Sequence, residues 1–331
     1  MKAHTEKKYI DFVGKRGFFI GLSIFMMVGS VVLFFKKGLN YGIDFTGGAE
    51  VEIRAPEGYG ISKVRETLAQ GGLQDAKVVQ VGDEQARHFL IKAQGDDSSL
   101  QKIAESVKGA FQKTSQSIAD GSSFEVLRAD VVGPAAGASL RTAGFLSMLY
   151  ALICILIYVT IRFDARYSPG AVLALVHDVT ITVGIFIITQ KQFDLQVLAA
   201  ILALIGYSNN DTIIVFDRIR ETLASNSGLA ITTAVNRSII DTLRRTILTS
   251  FSTMLSVLAL FFFGGRVIHD FAFTLIVGIA VGTYSSIFIA SSFIVYFTQW
   301  RDRREARLKA SGKAREHKKK TYTVRPEPRL Q

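Results

Sequence analysis

The sequence predicts an α-helical polytopic membrane protein that carries a small α+β domain outside the bilayer. Three observations predict this. Six apolar stretches are each long enough to cross hydrocarbon, the segment 36–138 between the first two is mixed in polarity, and basic residues gather on alternate connections. The 331 residues are 49% hydrophobic with 24 Phe and a mean hydropathy of +0.28, too apolar for an ordinary soluble domain.

The first apolar stretch, Gly17–Phe35, follows Lys2, Lys7, Lys8, Lys15 and Arg16, the arrangement of a signal peptide. A signal core is shorter than the roughly 20 residues that a 30 Å hydrocarbon layer requires. Lys36-Lys37 follow with no small-x-small cleavage pattern, so 17–35 reads as a retained span and 1–16 as a cytoplasmic N-terminus.

The segment 36–138 has the periods of a soluble domain. Ala49–Ala55 alternates as a strand, and Ile61–Gln70 reads as a helix stopped by Gly71-Gly72. Lys77–Val81 and His88–Ala93 read as strands around a Gly82-Asp83 turn, Leu100–Ile118 as an amphipathic helix, and Ser123–Val132 as a closing strand. The order β-α-β-β-α-β is that of the ferredoxin-like fold. That fold hosts many functions and by itself names none. His88, in a strand beside Phe89, reads as a surface or cross-strand residue, with no partner at metal-ligand spacing.

Five further stretches complete the membrane domain (139–297): Ser139–Ile161, Pro169–Thr189, Leu195–Phe216, Thr246–Gly264 and Phe271–Phe297. A single stretch in lipid satisfies its backbone only as a helix, so all six are expected to be helical. The net charge of +11 is largely a topology signal. Arg162 and Arg166, then Arg218, Arg220 and Arg237, then Arg301, Arg303, Arg304, Arg307 and Lys309 lie on the side of the N-terminus, against Lys191 and Arg266 opposite. Both termini are therefore expected in the cytoplasm. The basic tail (298–331), with its run at Arg315–Lys320, suits anionic lipid better than nucleic acid. Cys154 is the only cysteine, which excludes an intrachain disulfide framework, and it reads as a small buried hydrophobe.

Ionisable residues inside the spans carry the functional signal. Asp178, beside His177, lies about nine residues into the third span, close to mid-bilayer at ~1.5 Å per residue. Asp211 lies in the cytoplasmic half of the fourth, within Gly206–Thr212 (GYSNNDT), and Arg244 and Arg245 enter the fifth from the same side. Asp211 and Arg245 are thus expected at similar depth. A charge at the centre of a spanning helix costs roughly 2.5–3.5 kcal/mol on insertion scales, and such residues default to function. One reading is structural, with Asp211 held by Arg or by Tyr207, Ser208, Asn209 or Asn210, and Asp178 by His177. The other is a proton path, in which the acid loads on one side and releases on the other. Asp217, Arg218, Arg220 and Glu221 read as a solvated face, and Gly278-x-x-x-Gly282 as a small-residue packing site.

Several longer motifs agree with one family. They are GIDFTGG (Gly42–Gly48), VVGP (Val131–Pro134), ALVHD (Ala174–Asp178), GYSNNDTIIVFDRIRE (Gly206–Glu221), NRSIIDTLRRTILTS (Asn236–Ser250) and GTYSSIFIAS (Gly282–Ser291). Together they resemble the SecF family of bacterial protein-export membrane proteins, over nearly the whole chain except the basic tail. The resemblance implies half of an RND-like unit in the bacterial inner (cytoplasmic) membrane, with 36–138 in the periplasm. It implies SecD as heterodimeric partner, the SecYEG translocon and YajC as associates, a preprotein as substrate, and the proton gradient as energy source with no cofactor. It also implies a proton pathway in which Asp211 is the acid and Arg245 its modulator; Asn210, Asp178 and His177 are added to that pathway by their place in the spans. Gly42, Asp44, Phe45, Gly47 and Gly48 form a structural motif that fixes the external domain to the membrane or to SecD; paired glycines permit positive φ and close backbone approach. Three positions depart from the family pattern: Asn209 where an apolar residue is common, Ile240 where Asn is common, and Ser292 where Pro is common.

Two other readings stay open at the level of sequence: an RND-type small-molecule or lipid transporter half, and a non-transporting translocon scaffold. The external segment is small for a substrate-binding porter domain. No nucleophile–base pair or metal-ligand set stands out, so a bond-making enzyme is not expected.

Overall fold

The computed structural model describes residues 11–73, 76–81, 87–93, 97–116, 123–162, 167–226 and 228–310. Lys2, Lys7, Lys8, the Gly82-Asp83 turn, Arg166 and the Arg315–Lys320 run lie outside the described residues. Among the described residues, six helical segments are long and apolar enough to cross a membrane.

α1 (Arg16–Lys37) ends at Gly38, whose φ of 68° lets its N–H return to the Phe34 carbonyl at 3.0 Å. α5 is Pro134–Arg162, five residues longer at its start than the apolar stretch, because Pro134 suits a first helical turn. α6 (Ser168–Thr189) likewise carries Pro169 in its first turn. α7 (Leu195–Ser225) is N-capped by Asp194, whose Oδ1 accepts from Val197 N at 2.9 Å. α8 (Ile231–Phe263) includes fifteen residues before the apolar stretch. The last span is α9 (Gly265–Ser285), a π-helical turn (Ser286–Ala290) and α10 (Ser291–Ala310), so the helix runs on past the apolar stretch into the basic segment.

α6 and α7 are the most enclosed spans, while α1, α5 and α8 present wide apolar faces such as Phe18, Phe25, Phe145, Phe251 and Phe263. Cys154 is on such a face of α5 and is exposed, contrary to the buried placement expected of it. A lone cysteine is as apolar as its neighbours, so hydropathy cannot say which way it points. Close approach uses small residues. A Cβ on Gly184 of α6 would lie 2.0 Å from Ser30 Oγ of α1, and Cβ atoms on Gly278 and Gly282 of α9 would meet Leu204 and Ser208 of α7 at 2.5 and 3.1 Å.

The external domain contains β2 (Gly48–Arg54), α3 (Ile61–Gln70), β3 (Lys77–Val81), β4 (His88–Ala93), α4 (Asp97–Gln116) and β5 (Glu125–Val132). The sheet order is β3-β4-β2-β5 with every pairing antiparallel, which is ferredoxin-like topology. Val51, Ile53, Phe89 and Ile91 point to one face and bury against Val64, Leu68, Val107 and Phe111 of the two helices. His88 sits across from Arg54, which donates to it at 3.2 Å, as a cross-strand residue should.

A two-stranded parallel ribbon was not legible in the sequence. β1 (Asn40–Tyr41), just after α1, pairs with β6 (Gln192–Phe193), between α6 and α7. It brings the GIDFTGG segment, including the short helix α2 (Ile43–Thr46), to the start of α7.

Candidate proton-coupling site

Two buried carboxylates occupy adjacent spans, with different surroundings. Asp178 on α6 is 1% exposed, and both of its oxygens are engaged. Ser208 Oγ of α7 donates to Oδ2 at 2.5 Å, Ser285 Oγ of α9 shares its hydrogen between Oδ2 at 2.8 Å and the Gly282 carbonyl at 3.1 Å, and His177 Nδ1 lies 2.8 Å from Oδ1. The expected His177 partnership is present. His177 Nε2 in turn meets Ser23 Oγ of α1 at 3.1 Å, and Ser23 Oγ meets Tyr284 OH at 2.9 Å.

Asp211 on α7 is 2% exposed, and its one hydrogen bond among the described residues is long: Ser250 Oγ of α8 donates to Oδ2 at 3.4 Å. Ser250 also lies 2.8 Å from Thr283 Oγ1, whose own hydrogen goes to the Ile279 carbonyl, so the single Ser250 hydrogen is divided between Thr283 and Asp211. Asn209 Oδ1, Thr212 Oγ1 and Thr246 Oγ1 are buried without a protein partner. A groove of about 420 Å³ between α8 and α9 is lined by Ser250, Met254, Thr283 and Tyr284, and it opens onto the Ser250–Thr283 pair. The Asp178 site is rich in donors; the Asp211 site is poor in them, and its one donor, Ser250, lines the groove.

Three expectations change. Asn210 is exposed, and the buried amide is Asn209, because successive helical residues point about 100° apart. Arg245 is exposed and lies within Coulombic reach of Asp211, but it makes no ion pair with it. Its long side chain reaches outward rather than into the helix interface. Ser208, a candidate partner of Asp211, serves Asp178 instead. Arg218 also does more than solvate a face: it donates to Asp241 of α8 at 2.5 and 3.0 Å and ties the ends of α7 and α8. Ser23, Tyr284, Ser285, Ser250 and Thr283 were not singled out from sequence. Ser23 and Ser30, seven apart in an otherwise apolar α1, were a readable signal that this helix turns hydroxyls inward.

The glycine motif is a junction. Gly42 N donates to Phe193 O at 2.8 Å, and Asp44 Oδ2 accepts from Leu195 N at 3.0 Å in the first turn of α7. Phe45 packs beside Tyr41 and Phe193. Gly47 has φ 72°, and a Cβ there would lie 2.7 Å from Pro134 Cα; Gly48 has φ 136° and faces the Ala93 carbonyl. The motif therefore joins the end of α1 and the first and last strands of the external domain to α5 and α7.

Comparison with known proteins gives the family. The family described as protein export membrane protein SecD/SecF, C-terminal, matches residues 111–300, and the SecD/SecF GG motif matches residues 32–55. The protein translocase subunit SecF of Desulfurispirillum indicum is 43% identical over 305 residues, covering 89% of this chain and 93% of that one. The chain belongs to the SecF family. It is thus a Sec protein-export subunit, with six candidate spans and one α+β domain among the described residues. A solved structure of SecDF, a translocon-associated membrane protein from Thermus thermophilus, superposes with a TM-score of 0.77 at 34% identity; it covers 92% of this chain, which spans 40% of that one. The SecDF translocase subunit of Brucella abortus is 39% identical over 87% of this chain and 37% of its own length. In this SecF-family chain the GG motif is the junction just described.

Proposed function

We propose that this SecF-family subunit couples proton movement through its spans to preprotein export, with Asp211 as the proton carrier. The observation that carries the reading is the contrast between the two acids. Asp211 is buried with one 3.4 Å hydrogen bond, from Ser250, and it is Ser250 that lines the groove, so neither protonation state is locked by its neighbours. A buried, weakly satisfied carboxylate is costly as an anion, and a charge moved across the membrane gains roughly 2.3 kcal/mol per 100 mV. The groove is mostly apolar, and the Ser250 and Thr283 hydroxyls are the polar groups that a water entering it would meet on the way to Asp211. Arg245, exposed and within Coulombic reach, modulates the acid as the surrounding helices shift.

In this reading both termini are cytoplasmic, the α+β domain is periplasmic, and the membrane is the bacterial inner membrane. SecD is the partner, because relatives exist as a single SecDF chain in which this chain matches about two-fifths. SecYEG and YajC associate with the pair, and the basic tail meets anionic lipid.

Asp211→Asn preserves shape and the Ser250 hydrogen bond but removes the titrating group. Preprotein uptake into inverted vesicles should then lose its proton-gradient-dependent component while the ATP-driven component remains. Full gradient stimulation in the variant would remove Asp211 from the coupling role.

A further inference from the structure

The hydrogen bonds around His177 run in one direction, and that direction fixes a proton count. Tyr284 OH donates to the Phe19 carbonyl at 2.8 Å, and a carbonyl can only accept. With its hydrogen committed, Tyr284 OH must accept from Ser23 Oγ–H at 2.9 Å. Ser23 then has no hydrogen left for His177, so at 3.1 Å it accepts from His177 Nε2–H. On the other side of the ring, Asp178 Oδ2 already accepts from Ser208 and Ser285, and Oδ1 shares a hydrogen with His177 Nδ1 at 2.8 Å. The pair therefore holds two protons, one on Nε2 and one between Nδ1 and Oδ1. It is electrically neutral, as imidazolium with carboxylate or as imidazole with carboxylic acid.

We propose that Asp178 and His177 form a second proton-binding site, and that loss of one proton from it reverses the Ser23–Tyr284 relay and releases Tyr284 from the α1 backbone. In the one-proton form Nδ1–H still serves the carboxylate, but Nε2 must accept. Ser23 turns its hydrogen to Nε2, Tyr284 turns its hydrogen to Ser23, and the Phe19 carbonyl loses the Tyr284 donor. The released proton leaves to solvent and no other bond changes.

The surroundings favour such a device. α1 offers the pair Ser23, α7 offers Ser208, and α9 offers Ser285 and the titratable Tyr284; α5 faces α6 with Met148, Leu152 and Ile155. No lysine or arginine bonds to the pair among the described residues, so nothing there compensates the negative charge left by the lost proton. Asp211 stands three residues beyond Ser208 on α7, so both acids act on one helix. Tyr284 directly precedes Ser285 and the π-helical turn, a distortion frequent at functional positions. Proton occupancy at α6 is thereby transmitted to the attachment of α9 to α1.

The use of this switch in export rests on the proton-coupled reading above; the protonation itself does not. The test is histidine 15N solid-state NMR of the full chain in lipid across pH, with His177 assigned by the signal lost in His177→Gln. At neutral pH Nε2 should carry a hydrogen. Ser23 bonds Nε2 in both forms, and the two-proton form is favoured by the additional bond from Tyr284 to the Phe19 carbonyl. In Ser23→Ala that bond persists in both forms, so the pH at which the pair loses its second proton should fall by roughly half to one unit, the size of one neutral hydrogen bond. Ser23→Thr should restore it. An unprotonated Nε2 in the unaltered chain, or an unmoved or upward midpoint in Ser23→Ala, overturns the proposal. Should Ser23→Ala fail to fold, the unaltered spectrum alone decides. Failure of the coupling reading would appear separately, in the vesicle uptake of Asp211→Asn.

Discussion

Gly47→Ala isolates the junction between the external domain and the spans. Two costs apply. The first is conformational: at φ 72° a Cβ crowds the backbone, at roughly 1–2 kcal/mol for a non-glycine residue. The second is steric: the new Cβ would lie 2.7 Å from Pro134 Cα and 2.9 Å from Pro134 N, both backbone atoms at the start of α5. Overpacking of this kind costs typically 1–3 kcal/mol, and backbone cannot swing aside as a side-chain tip can. The total expected is about 2–5 kcal/mol. Gly58→Ala is the control, since Gly58 has φ 78° but nothing within 4 Å of a Cβ. It should cost only the first amount. Thermal unfolding of the purified chain in detergent, with hydrogen exchange over β5 and the first turn of α5, measures both. Equal destabilisation by the two substitutions would refute the close packing of the glycine motif on α5.

Other expectations concern charge and helix contact. Burial raises the Asp194 carboxyl above its usual value of 3.8, with the charges of Asp44 and Asp270 adding to it. A carboxyl whose folded value is raised favours the fold below about pH 4 and disfavours it as pH rises through the shifted value. Asp194→Asn keeps an N-cap acceptor for Val197, so it should raise the melting temperature at pH 7, with the gain vanishing below pH 4; a gain equal at both pH values would contradict this. Gly184→Ala should loosen α1 from α6, because its Cβ falls 2.0 Å from Ser30 Oγ and 3.2 Å from Ser30 Cα. About 1–3 kcal/mol is expected, and crosslinking efficiency between cysteines placed on the two helices reports it. If Ser30 merely rotates away, crosslinking will be unchanged and stability nearly so.

Much of the architecture was legible because it depends on local pattern. Ile61–Gln70, Lys77–Val81 and His88–Ala93 coincide with their helix and strands, since one turn or one pleat already separates buried from exposed positions. Span ends were less legible where amphipathic turns extend the helix beyond its apolar part, as in α8 and α10. The two acids were visible as expensive residues in apolar runs, but their partners were not. Asn209, Asn210 and Asp211 are adjacent in sequence yet face different directions, and Ser23 and Tyr284, 261 residues apart, share a hydrogen bond.

By itself, the sequence determined that the chain crosses the bilayer with six helices, that a βαββαβ domain stands between the first two, and that Asp178 and Asp211 are buried at an energetic cost. Composition and period are properties of each segment alone, and hydrocarbon admits few alternatives to a helix. Only the tertiary structure decided that Ser208 serves Asp178, that Arg245 stays outside an ion pair, that β1 meets β6, and that His177 lies between Asp178 and Ser23. Those outcomes depend on the rotation of each helix about its axis and on which neighbour it faces, and no single segment encodes either.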